Sequence, residues 1–218
     1  VPTTEERLRR VEAQLGTLLE DHRIGSALQG PFPVSDTSMR YRRVGSGIYY
    51  LPGTVAAVQD NTRNMAVTAN RIYALPFLVV NRLRVNRLAS YTQAGAAGNS
   101  RMGIYRDGAD LVPHSLVSGS GSVAVGATAN YHDFSPPVTL HRGLYWIALC
   151  FSATPTMFRL PYEQGVAWEI LGRQIGISTA FSIGWIANHA FAPLQSIFPS
   201  TGLAKARDLP LMWIRLVP

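Results

Sequence analysis

The sequence predicts a mainly β protein: a jelly-roll-like β-sandwich preceded by a short N-terminal α-helical coiled coil. Three observations carry the prediction. The run Gly143-Leu144-Tyr145-Trp146-Ile147-Ala148-Leu149-Cys150-Phe151 is uncharged, with large apolar side chains at odd and even positions alike. Short β-compatible runs recur around it, separated by Gly, Pro, Ser and Asp-Gly turns. The clearest apolar repeat of helical period lies near the amino end, and Gly165–Gly172 reads as a short helix or a strand.

The first element is a helix over Thr3 to about Arg23. Thr3 and Glu6 are spaced as a capping box, each side chain meeting a free backbone N–H of the first turn. Glu5–Arg9 and Glu6–Arg10 are i,i+4 pairs with the acid first, the favourable order. Leu8 and Leu15 fall at a, Val11 and Leu18 at d, which is a heptad seam. Leu19 widens the stripe, so the alternative is an amphipathic helix lying on its own domain. Gly25, Gly30, Pro31 and Pro33 separate the helix from the rest of the chain, which favours self-association through Leu8, Val11, Leu15 and Leu18. The predicted domains are therefore a coiled-coil helix over 1–29, a connector over 30–69 and a β-domain over 70–218.

Within the connector, Gly30-Pro31-Phe32-Pro33 cannot continue a helix. Ile48–Leu51 is a short strand candidate. Arg40-Tyr41-Arg42-Arg43 combines charge with a ring, which is a weak nucleic-acid signal and reads better as a strand or subunit contact. In the β-domain, strands are expected at Arg71–Val80, where Pro76 marks an edge or bend, and at Leu83–Tyr91, where alternation is imperfect. Gln93–Ser100 reads as a loop. Further strands are expected at Arg101–Arg106, ending in the Asp107-Gly108 turn, then at Leu116–Ser118, Ser122–Val125, Tyr131–Phe134 and Val138–Leu140. Gly143–Phe151 is the central strand. Since both its faces are apolar, a second sheet should cover one, and loops or another subunit the other. Ser178–Ile186 and Leu209–Val217 complete the set.

Composition limits the chemistry. The chain has 218 residues, 47% hydrophobic, enough for a substantial core. It carries 19 Arg and one Lys against 13 acids, a formal net charge of +7. That charge permits acidic polymers as partners, but scattered surface arginines explain it without a nucleic-acid partner. No run of about 18 apolar residues predicts membrane insertion, and the charged amino end predicts no secretory leader. Cys150 is the single cysteine, so no intrachain disulfide forms. It reads as a small core residue.

No cofactor or metal is expected. His22, His114, His132, His141 and His189 form no metal-binding pair. His132 and Asp133 would point to opposite faces of a strand. Asp107 and Asp110 share a turn but lack the ligand spacing of a calcium loop. No nucleophile elbow or phosphate-binding loop is present, and Gly119-Ser120-Gly121-Ser122 reads as a flexible loop. Glu163 and Glu169 share no obvious face, so no carboxylate pair for glycoside cleavage stands out. No catalytic residue is expected.

Three stretches, Asn70-Arg71-Ile72-Tyr73-Ala74-Leu75-Pro76-Phe77, Met102-Gly103-Ile104-Tyr105-Arg106-Asp107-Gly108 and Arg142-Gly143-Leu144-Tyr145-Trp146-Ile147-Ala148, together with Pro210–Arg215, resemble a β-sandwich domain of structural proteins of tailed bacteriophages and related particles. The resemblance runs from Ala69 to the end. A coil, a kinked connector and a terminal β-domain are similar to the plan of trimeric tail fibres, head fibres and spikes. It implies a homotrimer on a virion, or on a phage-like particle such as a gene transfer agent.

Two function classes compete. The first is a non-enzymatic fibre or spike that attaches to host-surface polysaccharide, with the N-terminal region held by other virion proteins. The second is a capsid decoration or adaptor without a receptor; a polysaccharide-degrading spike is a third, weaker reading. Sugar sites combine an aromatic face with a few polar groups. Tyr91, Tyr131, Trp168 and Trp185 flank loops and are the candidates, set against the ordinary role of such side chains in a core.

Overall fold

The structure, a computed structural model, describes residues 49–50, 64–79, 82–108, 110–161 and 182–217. The predicted helix with Leu8, Val11, Leu15 and Leu18, and Trp168, lie outside these residues. The described residues belong to one compact unit, Arg42–Pro218. They are mainly β and form two seven-stranded sheets.

In chain order the strands are β1 (Tyr49–Tyr50), β2 (Asn64–Ala66), β3 (Arg71–Val79), β4 (Leu83–Ala94), β5 (Asn99–Gly108), β6 (Val112–Gly119) and β7 (Val123–Ala124). Next come β8 (Ala129–Leu140), β9 (Gly143–Phe151), β10 (Thr156–Pro161), β11 (Gly184–Asn188), β12 (Ala204–Ala206), β13 (Asp208–Pro210) and β14 (Met212–Leu216). The first sheet has the order β1-β14-β4-β10-β13, with β2 on β10 and β8 on β4. The second has the order β12-β11-β3-β9-β5-β6, with β7 on β5. Every strand pairing is antiparallel. Successive long strands β3, β4 and β5 alternate between the sheets, as do β8, β9, β10 and β11. Two strands, β1 and β2, come from the stretch read as a connector.

The expected central strand is β9, flanked along its length by β3 and β5. Trp146, Ala148 and Cys150 point to one face and join a core with Ile72, Ala74, Tyr105, Ala187 and Phe198. Phe191, Leu194 and Leu203 pack on this core, so the chain's own segment between β11 and β12 covers the face. Tyr145, Ile147, Leu149 and Phe151 are buried on the other face. Each large side chain taken fully out of water contributes roughly 1.5–3 kcal/mol. The same covering segment guards the β6 edge. Leu116 N–H donates to Ser196 O (2.8 Å), and Phe198 N–H donates to His114 O (2.8 Å). These bonds occupy the edge at His114 and Leu116, where a foreign strand would otherwise pair.

Several expectations are refined. Pro76 lies within β3, opposite Trp146, but the pairing of β3 with β11 stops at Ala74. Its missing N–H therefore falls where β3 has lost its second neighbour. The runs Tyr131–Phe134 and Val138–Leu140 merge into the single long β8, which carries a cis Ser135–Pro136 bond. The closing strand is two, because Leu211 interrupts it; its N–H donates to Phe158 O (2.9 Å). The imperfect alternation of Leu83–Tyr91 has a specific cause. Against β14, Asn86 is one extra residue of β4, a β-bulge; against β8 the excess lies in β8, whose residues 134–137 stand opposite Asn86. Val85 is buried before it, and Leu88, Ser90 and Thr92 are buried after it. One inserted residue switches which parity faces inward.

The two sheets meet through specific contacts. His132 of β8 is fully buried and lies 3.1 Å from Ser100 Oγ of β5 through Nε2. A Cβ on Gly184 of β11 would come within 2.6 Å of Leu209 Cδ1 of β13 and would clash with the Ala74 carbonyl. Glycine is needed there for close approach.

Candidate functional site

The bulge at Asn86 decides what the first sheet shows on its outer face. After it, Arg87, Ala89 and Tyr91 point outward, because Leu88, Ser90 and Thr92 point in. Ala89 is paired with Tyr131 of β8 on one side and Trp213 of β14 on the other. One row along, Arg87 is flanked by Asp133 and Arg215; two residues the other way, Tyr91 faces Ala129. A small residue thus lies between two aromatic ones; Ala89 is itself buried (4% exposed), and a shallow groove lies over this row. Its volume is about 230 Å³, and Ala89, Ser90, Tyr91, Ala129, Tyr131 and Trp213 line it. Tyr91 is 38% and Tyr131 46% exposed, which leaves both rings accessible.

The walls are braced from behind. Tyr91 packs on Phe158 of β10, ring centres 5.2 Å apart at 52°. The Arg87 guanidinium sits 4.8 Å from the Tyr131 ring centre. Arg87 is itself fixed by two bonds to Asp133, Nε to Oδ1 at 2.5 Å and Nη2 to Oδ2 at 2.8 Å. Arg215 approaches Asp133 at 3.9 Å and donates through Nε to Asn86 Oδ1 at 3.0 Å. The hydrogen bond from Arg87 holds the Asp133 carboxyl below its usual range, with both guanidinium charges adding to the effect. A fork held at two points keeps its plane, and so the ring stacked on it, in place. Rigid aromatic faces beside a few fixed polar groups suit the apolar face of a sugar ring or another flat, partly apolar group.

Of the sequence candidates, Tyr91 and Tyr131 come together in this groove. Trp185 does not: it belongs to β11 of the second sheet. Its Nε1 donates to Leu111 O (2.9 Å), and Lys205 Nζ lies 5.9 Å from its ring. Trp213 was not among the candidates. A signal for it existed, since in Met212-Trp213-Ile214-Arg215 the tryptophan shares strand parity with a charged residue, which marks the solvent face.

Titratable groups elsewhere are enclosed. His132 Nδ1 is 2.9 Å from Ser120 Oγ, which also accepts the Met102 N–H at 3.0 Å. The stretch Gly119–Ser122, read as a flexible loop, is thus anchored at Ser120. Burial pushes the His132 imidazole down to about 4, against the opposing pull of Asp133. As expected, His132 faces in and Asp133 faces out. The Ser100–His132 pair has the outline of a nucleophile and its base, but both residues are fully buried, so no substrate reaches them. Trp146 Nε1 donates to Asp107 Oδ1 at 2.8 Å. Burial raises the Asp107 carboxyl despite that bond, and Asp110 raises it further. Cys150 is a buried free thiol pushed up by burial to about 12. Among the described residues no group of three His, Cys, Asp or Glu side chains could hold a metal ion.

No family model matches the chain, and no curated protein matches its sequence.

Proposed function

We propose that the protein is a non-enzymatic structural component of a phage or phage-like particle, a homotrimeric fibre or spike that attaches to host-surface polysaccharide. In this reading the two sheets form a jelly-roll-like β-sandwich, carried on an N-terminal coiled coil that docks to other virion proteins. The observation that supports attachment is the groove over Ala89: three aromatic side chains from three strands, two of them braced from behind, open on the outer face of a sheet.

The test is a glycan array and cell-adsorption assay with the full chain, beside the variants Tyr131→Ala and Trp213→Ala. Attachment predicts binding to surface polysaccharide and to cells, lost in both variants with folding unchanged. A protein that binds only particles, and no glycan or cell, is instead a decoration or adaptor. Light scattering tests the trimer, which a single-chain mass at micromolar concentration would refute.

A further inference from the structure

Basic residues gather at one end of the β-domain. Strand β3 ends at Val79 and β4 begins at Leu83; β8 ends at Leu140 and β9 begins at Gly143. Val79 pairs with Gly143 in one sheet, and Leu83 with Leu140 in the other. The β3–β4 and β8–β9 connections therefore leave from paired residues and arrive at paired residues. Arg82 precedes Leu83, and His141 and Arg142 follow Leu140; all three are exposed. Arg84 is exposed one step into β4, opposite Thr139. It points away from the core because its neighbour Val85 is fully buried. At 3.8 Å per residue, no more than about 8 Å of chain separates any of these four from the Leu83–Leu140 pair.

These arginines lack the acids that others have. Arg87 and Arg215 approach Asp133, and Arg159 pairs with Asp208. Among the described residues, Arg82, Arg84 and Arg142 make no ion pair. Asp107 of β5 falls beside Leu144 by register, but it is half-buried and accepts the Trp146 N–H at 2.8 Å. Burial and Asp110 raise its carboxyl and no guanidinium lowers it, so it does not neutralise the arginines. Like charges held together without a counter-charge repel, and an anion that bridges them relieves the repulsion. Arginine forks match carboxylate and phosphate groups. Nothing at this end stacks on an unpaired base: the ring nearest by register, Tyr145, is buried. A second copy of the chain brings the same net charge of +7 and is repelled. Arg84 stands on the outer face of the first sheet, roughly 15 Å along β4 from Ala89. An extended polymer lying over the groove reaches it.

We infer that Arg82, Arg84 and Arg142, with His141 as a further donor, bind the carboxylate or phosphate groups of an acidic surface polysaccharide. This rests on the attachment reading above and adds to it the chemical class of the glycan. Exposed charge pairs are individually weak, and repetition of the acidic group along a polymer multiplies them. They are also screened by salt, over a distance of about 10 Å at 0.1 M.

The experiment uses the full chain on immobilised bacterial surface polysaccharides of three kinds: neutral, uronic-acid-bearing and phosphate-bearing. Carboxyl-reduced copies of the uronic-acid set and an oligothymidylate complete the panel. Wild type is expected to bind an acidic set about tenfold more tightly than the neutral one in about 50 mM salt, and to lose that preference near about 0.5 M. Which acidic set binds names the anion. Arg82→Gln, Arg84→Gln and Arg142→Gln combined should weaken binding to acidic glycans by about tenfold and leave neutral ones unchanged. Arg71→Gln with Lys205→Gln removes two exposed cations elsewhere and should stay within about twofold. Thermal melts verify folding of each variant. Equal binding of acidic and neutral glycans, or an equal loss in both variants, overturns the basic site alone and leaves attachment through the groove. Tighter binding of oligothymidylate than of any polysaccharide overturns the choice of glycan. Absence of any polysaccharide binding by wild type overturns the attachment reading and the basic site together.

Discussion

Mild acid should weaken this fold through His132, and by an amount the structure specifies. The imidazole spans the two sheets, with Ser100 on one nitrogen and Ser120 on the other. Neutral imidazole, one nitrogen donating and one accepting, suits two serine hydroxyls. Burial holds it near 4 in place of its ordinary 6.5. The unfolded chain therefore takes up a proton below pH 6.5 that the folded chain refuses until about pH 4. Stability is complete above pH 6.5 and is lost progressively as pH falls towards 4. By pH 5 the loss is about 2 kcal/mol, and it approaches about 3 kcal/mol below pH 4. With a urea slope of about 2 kcal/mol per molar, the midpoint should fall by about 1 M between pH 7.5 and pH 5.

Urea titrations read by tryptophan fluorescence at half-unit pH steps would measure this. His189 is also lowered by burial and contributes a slope of the same sign, so the comparison must be made with His132→Gln. The variant loses the contribution of residue 132 and keeps that of 189. Asp133 acts only lower, at and below the ordinary carboxylate range, because Arg87 holds it down. Equal pH slopes for wild type and His132→Gln between pH 7.5 and 5 would refute the reasoning, and the imidazole would then not be held neutral between the sheets.

Three further outcomes are expected. Cys150 should be inert to a thiol reagent such as dithionitrobenzoate at pH 8 in the native protein and react fully in denaturant, because its thiol is buried and pushed up to about 12. Gly184→Ala should cost about 2 kcal/mol or more in denaturant unfolding, since its methyl group would meet the Ala74 carbonyl and Leu209. Trp146→Phe should cost about 2–4 kcal/mol in the same assay, because it opens space in a fully buried position and removes the donor to the half-buried Asp107 carboxylate.

Much of the architecture was legible along the chain. Gly143–Phe151 declares itself as a strand covered on both faces because its composition is apolar at both parities, and it lies at the middle of a sheet. His132 and Asp133 part company because adjacent side chains on a strand must. Such signals are local: they need only the pleat and the neighbours within a few residues. The uneven pattern of Leu83–Tyr91 was visible too, but its meaning was not, since a bulge is defined against partner strands the sequence does not name. The groove lies wholly beyond local reach. Tyr91 and Tyr131 could be singled out, but Trp185 was singled out on the same grounds and lies in the other sheet. What joins Ala89, Tyr131 and Trp213 is the register of three strands far apart in sequence, set by burial of their opposite faces. Residue order therefore determined that these segments would be strands and which side of each prefers oil to water. Only packing of the two sheets decided which outward rings became neighbours, because that depends on pairings made across the whole domain.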